Sequence, residues 1–180
     1  MDLSIVVGNP KPRSRTLAVA EAVAERAAAI TGARIARTVD LCDHAGDLFR
    51  WPHEGLAELA EAVAASRYLV VASPTYKASY TGLLKAFLDR FPNNGLARTV
   101  AFPVMTGGSA THGMVIDTHL RPLLVELGAS VPTRGLYFPT PHMDCIARIV
   151  DEWADENLTA ANLTPPAPSA AFRPGSQVTA

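Results

Sequence analysis

Lys11, Arg13 and Arg15 alternate with prolines and a serine in Gly8-Asn9-Pro10-Lys11-Pro12-Arg13-Ser14-Arg15-Thr16. An apolar run, Leu3-Ser4-Ile5-Val6-Val7, precedes this stretch and an alanine-rich helical segment follows it. The order is strand, tight polar turn, helix N-terminus. Such a turn offers free backbone N–H groups, the positive end of a helix dipole, hydroxyls and cations, all of which favour a phosphate. The chain lacks G-x-G-x-x-G here, so the backbone approach that a dinucleotide pyrophosphate needs is missing. A single phosphomonoester remains, beside the plainer reading of a capped helix start with surface charges.

Two further polar stretches follow apolar runs. Ser73-Pro74-Thr75-Tyr76-Lys77-Ala78-Ser79-Tyr80-Thr81-Gly82 is a turn with two tyrosines that leads into an apolar helix. Its backbone amides can meet a heteroaromatic edge, and Thr75 and Tyr76 can pack on a ring. Thr106-Gly107-Gly108-Ser109-Ala110-Thr111-His112 carries paired glycines, which let backbone approach a flat ring.

The elements that must hold these turns alternate regularly. Strands are predicted at Leu3–Val7, Arg34–Val39, Tyr68–Ala72, Thr99–Met105 and, more weakly, Thr133–Phe138. The third and fourth are continuously apolar, as expected of strands covered on both faces. Pro103 removes a ladder donor, so the fourth strand should be irregular there or paired on one side only. Helical periodicity fills Thr16–Thr31, Gly55–Ser66, Thr81–Arg90, Thr111–Leu127 and Asp144–Leu163, with Leu17, Ala20, Val23, Ala24 and Ala27 as the inner face of the first. Alternating strands and helices imply parallel pairing with right-handed crossovers, an α/β class. In such sheets ligands bind beyond the carboxyl ends of the strands. The three polar turns then converge at one end, a pattern that suits a mononucleotide with a planar head.

These motifs, together with Leu83-Leu84-Lys85 and His112, resemble the NADPH-dependent FMN reductases of the sulfonate-utilisation type, over roughly residues 3–140. The resemblance implies a flavodoxin-like three-layer sandwich, with a five-stranded parallel sheet of order 2-1-3-4-5 and helices on both faces. It also implies FMN as acceptor, NADPH or NADH as donor, a homodimer or homotetramer, and supply of reduced flavin to a flavin-dependent monooxygenase. The first loop would hold the flavin phosphate through Asn9, Ser14, Arg15 and Thr16. The second would cradle the ring through Pro74, Thr75 and Tyr76, with Lys77 also cofactor-binding. Thr106, Gly107 and Gly108 would close the pyrimidine side, with His112 also cofactor-binding. Asn9 stands where many relatives have serine, and Thr118, with His119 beside it, where some carry tyrosine. A 2′-phosphate on the nucleotide would need a cation from Lys77, Arg13 or Arg98. Hydride transfer asks the protein to stack rings and exclude water, so no catalytic acid or base is assigned.

Other signals bound the reading. The chain has 180 residues, 48% hydrophobic and 18% charged, with formal net charge −1. One domain over 1–163 and a poorly ordered proline-rich tail over 164–180 are expected. The charge gives no reason to expect nucleic acid or an anionic membrane as partner. No apolar run reaches spanning length and no leader pattern opens the chain, so a cytoplasmic location is expected. Cys42 and Cys145 form no C-x-x-C pair and read as buried thiols. The five histidines (His44, His53, His112, His119, His142) form no ligand pair of the H-x-x-x-H type, so no metal site is expected. Phe49 and Trp51, within Asp43–Gly55, fit loop packing or a flap or subunit contact. An FMN-retaining quinone or azo reductase would share every motif above. A flavodoxin-like electron carrier would want a strongly acidic docking surface. A receiver domain would need clustered acids where this chain has Gly8-Asn9-Pro10.

Overall fold

Strands built from continuous apolar runs need cover on both faces, and the computed structural model of the chain provides it. It describes residues 1–159 together with Ala161 and Leu163. The tail expected over 164–180 lies outside the described residues. Five parallel strands, β1 (Asp2–Val7), β2 (Arg34–Asp40), β3 (Tyr68–Pro74), β4 (Val100–Gly107) and β5 (Leu136–Pro139), form one sheet in the order β2-β1-β3-β4-β5. This is the flavodoxin-like arrangement. Helices α1 (Arg15–Thr31) and α5 (Ile146–Ala154) cover one face; α2 (Glu54–Ala64), α3 (Gly82–Leu88) and α4 (Arg121–Glu126) cover the other.

Strand alternation sorts the two cores. Leu3, Ile5, Val7, Tyr68, Val70, Ala72, Phe102 and Val104 point to the α1/α5 side, whereas Val6, Leu69, Val71, Ala101 and Met105 point to the other. Tyr68 and Phe102 stack with ring centroids 6.1 Å apart, a contact worth about 0.5–1.5 kcal/mol beyond area burial. Helix α1 starts where Ser14 accepts the amide of Leu17 (3.1 Å) and stops at Gly32, whose φ of +68° suits glycine. Its buried face is Thr16, Val19, Ala20, Val23, Ala24 and Ala27. Leu17, expected on that face, is only partly buried, and Val19 and Thr16 take its place.

Pro103 pairs on one side. The Ala101 amide donates to the Ser130 carbonyl (2.8 Å), so the nitrogen of Pro103, two residues on, faces the same way. It falls in the interval before β5 pairing begins at Val104. The missing donor therefore costs the ladder nothing.

Two predicted helices are broken. Thr111–Leu127 resolves into a 3-10 turn (Ala110–His112), a π turn (Ile116–Leu120) and the short α4. Pro122 has no N–H to give the preceding turn, and the amide of Arg121 reaches back five residues to Ile116. Asp144–Leu163 likewise divides into a 3-10 segment (Thr140–Cys145), α5 and a π turn (Asp155–Thr159). Both cysteines are free and partly exposed rather than buried.

Candidate functional site

At the carboxyl edge of the sheet, β3 and β4 run two residues further than predicted, to Pro74 and Gly107, and Pro74 pairs with Thr106. The three polar turns surround a cavity of about 360 Å³ there. Asn9, Ser14, Arg15, Thr16, Pro74, Thr75, Tyr76, Thr106, Gly107 and Gly108 all line it. Lys77 and His112 do not. Lys11, Pro12, Arg13 and Thr140 line it as well. Sequence reasoning placed the first three in the right loop but assigned them no flavin contact, and missed Thr140 altogether. The position of Thr140 just beyond β5, at the same sheet edge, was the available signal.

The first loop is pinned from below. The Gly8 amide donates to the Ala72 carbonyl (2.8 Å) and its carbonyl accepts the Thr81 hydroxyl (2.5 Å). A Cβ at Gly8 would lie 2.5 Å from Leu84 Cβ, so helix α3 can close on the loop only over glycine. Asn9 is buried; its Oδ1 accepts the Lys11 amide (3.0 Å) and its Nδ2 donates to Thr16 Oγ1 (2.9 Å). Arg13 takes a φ of +48° before the chain enters α1. Among the described residues, the backbone N–H groups of Ser14, Arg15 and Thr16 meet no protein acceptor. Lys11, Arg13 and Arg15 stand around them, and no carboxylate side chain lines the cavity. The arrangement has the free donors and the positive charge that would suit an anion.

The second loop turns tightly. Tyr76 and Ser79 exchange backbone hydrogen bonds (2.9 and 3.1 Å) across Lys77 and Ala78, whose φ values are +51° and +60°. Two successive left-handed residues make a hairpin-type turn that leaves Tyr76 at the rim, 47% exposed. The Thr75 amide donates to the Thr106 carbonyl (2.7 Å), while Thr75 Oγ1 is buried with no partner.

The two glycines of the third loop have separate reasons. A Cβ at Gly107 would sit 2.0 Å from the Tyr137 hydroxyl, which donates to the Ser109 carbonyl (2.8 Å). A Cβ at Gly108 would meet nothing. Gly107 therefore makes room for Tyr137, and only Gly108 leaves an open backbone surface of the kind a flat ring can use.

Other sequence candidates lie elsewhere. Arg98 precedes β4 at the opposite end of the sheet, where its carbonyl accepts the Arg67 guanidinium (2.8 Å). Phe49 and Trp51 are exposed and do not line the cavity; Arg90 stacks on Trp51 at 4.3 Å and bonds the carbonyls of Asp47, Leu48 and Arg50. Among the described residues, no three His, Cys, Asp or Glu side chains gather as metal ligands, and no helix is long and apolar enough to cross a membrane.

Sheet order and the crevice at its carboxyl edge define a flavodoxin-like α/β protein. The chain belongs to the NADPH-dependent FMN reductase family, whose profile matches residues 1–142. It is 37% identical over 89 residues to the FMN reductase (NADPH) of Pseudomonas putida, covering 49% of this chain and 44% of that protein. With the NADH-dependent FMN reductase SfnF of Pseudomonas putida it shares 33% identity over 138 residues, 74% of each chain. For the first curated relatives the matched segment spans about half of their length. The structure superposes on the apo form of the NADH:FMN oxidoreductase EmoB with a TM-score of 0.72 and 29% identity, covering 87% of this chain and 89% of that one.

Proposed function

We propose that this protein is an NAD(P)H-dependent FMN reductase that releases its reduced flavin to a partner monooxygenase. One observation carries the reading: a cationic anion receptor and an open glycine surface share a single cavity. That combination fits a phosphomonoester joined to a flat heterocycle. Relatives whose names give NADPH and NADH as donors support the reaction class and leave both nucleotides in play.

The amides of Ser14, Arg15 and Thr16, with the Arg15 and Arg13 side chains, would take the phosphate. The orphaned Thr75 hydroxyl is a ready partner for a polar edge of the ring, because an unpaired buried hydroxyl is costly. Gly108 and Tyr76 would bound the ring face and keep water from it. When bound, the flavin supplies the chemistry by accepting a hydride from the nicotinamide. No side chain need transfer a proton for that step. Lys77, at the tip of the second loop and outside the cavity, and Arg13 remain the cations offered for a nucleotide 2′-phosphate; the position of Arg98 removes it.

Steady-state oxidation of NADPH and of NADH with varied FMN tests the proposal. Saturable dependence on added FMN is expected. Nucleotide oxidation that ignores FMN would overturn it. Copurification and coupling assays with a flavin-dependent monooxygenase test the partner.

A further inference from the structure

We propose that Thr16 acts as a positioning residue for the flavin: with Asn9 and Thr106 it forms a buried polar brace that fixes the spacing between the phosphate loop and the ring loops. The inference rests on the flavin site proposed above. It assigns the Thr16 hydroxyl to a role other than phosphate contact.

Thr16 lies in the first turn of α1 and is 1% exposed; Thr106, at the end of β4, is also 1% exposed, and Asn9 is 7% exposed. Thr16 Oγ1 accepts the Asn9 amide (2.9 Å) and hydrogen-bonds the Thr106 hydroxyl (2.7 Å) across 90 residues of sequence. Outward from these two bonds, the Lys11 amide donates to Asn9 Oδ1 and the Thr75 amide to the Thr106 carbonyl. One run of hydrogen bonds thus joins the ends of β1, β4 and β3, the three strands that carry the ligand loops.

In the proposed brace the Thr16 oxygen accepts from Asn9 and its one hydrogen is directed to Thr106 Oγ1, so the hydroxyl has nothing left to donate to an anion. That leaves the Thr16 backbone N–H, which has no protein partner, as its contact for an anion. A buried polar run specifies geometry strongly, because any displacement leaves an unpaired group out of water. The distance between anion receptor and glycine surface is therefore set before a ligand arrives. A ligand that must touch both at once gains from that preorganisation.

The test uses the full chain with Thr16→Val, Thr106→Val, the double variant and Thr16→Ser. KM and kcat are measured for FMN and for riboflavin, and backbone amide exchange is followed at Gly107–Ser109 in the free protein. Each valine should raise KM for both flavins by a similar factor, roughly tenfold, the scale of one buried group left unpaired. The double variant should be no worse than Thr16→Val, because that substitution already breaks the bond to Thr106 along with the one to Asn9. Thr16→Ser should restore nearly wild-type values, and Thr16→Val should speed exchange in the third loop. A loss confined to FMN would make the hydroxyl a phosphate ligand and overturn the brace, as would additive losses or unchanged exchange. If the wild-type chain takes neither flavin, the flavin reading itself falls and the positioning role with it, and exchange alone decides whether the three loops are braced.

Discussion

Arg15 separates the two halves of the proposed ligand. It is exposed at the start of α1, lines the cavity and, among the described residues, has no carboxylate partner. Arg15→Ala should weaken FMN binding by about 1.5–3 kcal/mol, the scale of a charge-assisted hydrogen bond. Riboflavin, lacking the phosphate, should bind nearly as before, and titration of both flavins checks this. Equal losses would move Arg15 away from the phosphate. Cys42 offers a second measurement at this scale. Desolvation, then Asp40 through a hydrogen bond and its charge, then Asp43, push its thiol from 9.0 up to about 11. All of these disfavour the thiolate, so at pH 8 the reactive fraction is far smaller than for an ordinary cysteine. The Cys42 alkylation rate should climb through pH 11 rather than level off above 9, as followed by mass spectrometry.

At the scale of elements, packing rather than ligand chemistry explains Gly107. Gly107→Ala should destabilise the fold by about 1–3 kcal/mol, the usual range for overpacking, because its Cβ would overlap the Tyr137 hydroxyl. In a Tyr137→Phe background the penalty should shrink, since the overlapping oxygen is gone. Urea unfolding of the four proteins measures the difference, and a constant penalty would refute the packing account. The sequence did not disclose this pair, because β5 is only Leu136–Pro139 and gives too little alternation to fix its register against Gly107. Long patterns make their elements plain: β1, β3 and β4 are built on mostly apolar runs, and α1 carries both a serine cap and a glycine stop. β3 and β4 run two residues beyond their apolar runs because Pro74 and Thr106 look like loop residues yet pair in the sheet. The turn after β3 is visible in the sequence, but the left-handed geometry at its Tyr76–Ser79 tip is hidden, for Lys77 and Ala78 carry no glycine signal. The fourth helix failed at Pro122, whose effect falls on the turn before it.

For the molecule as a whole, the strength of flavin binding would distinguish the proposed flavin supplier from an FMN-retaining quinone or azo reductase. An enzyme that hands reduced flavin to a partner must let it go, so its grip should be nearer micromolar than nanomolar, roughly −8 rather than −12 kcal/mol. The cavity suits that modest grip. It has one cationic loop, no tryptophan in its lining to clamp a ring, and a single aromatic, Tyr76, that is half in solvent. Its cations are exposed, and salt and water screen what they contribute. A formal charge of −1 gives the surface no strong acidic field, which sets it apart from an electron carrier that docks through one. The purified protein should therefore be nearly colourless, and its oxidation of NADPH or NADH should rise with added FMN to saturation. Dialysis followed by an absorption spectrum gives the answer directly. A protein that stays yellow and reduces quinones without added flavin would be the retaining enzyme, because no loose site survives dialysis loaded.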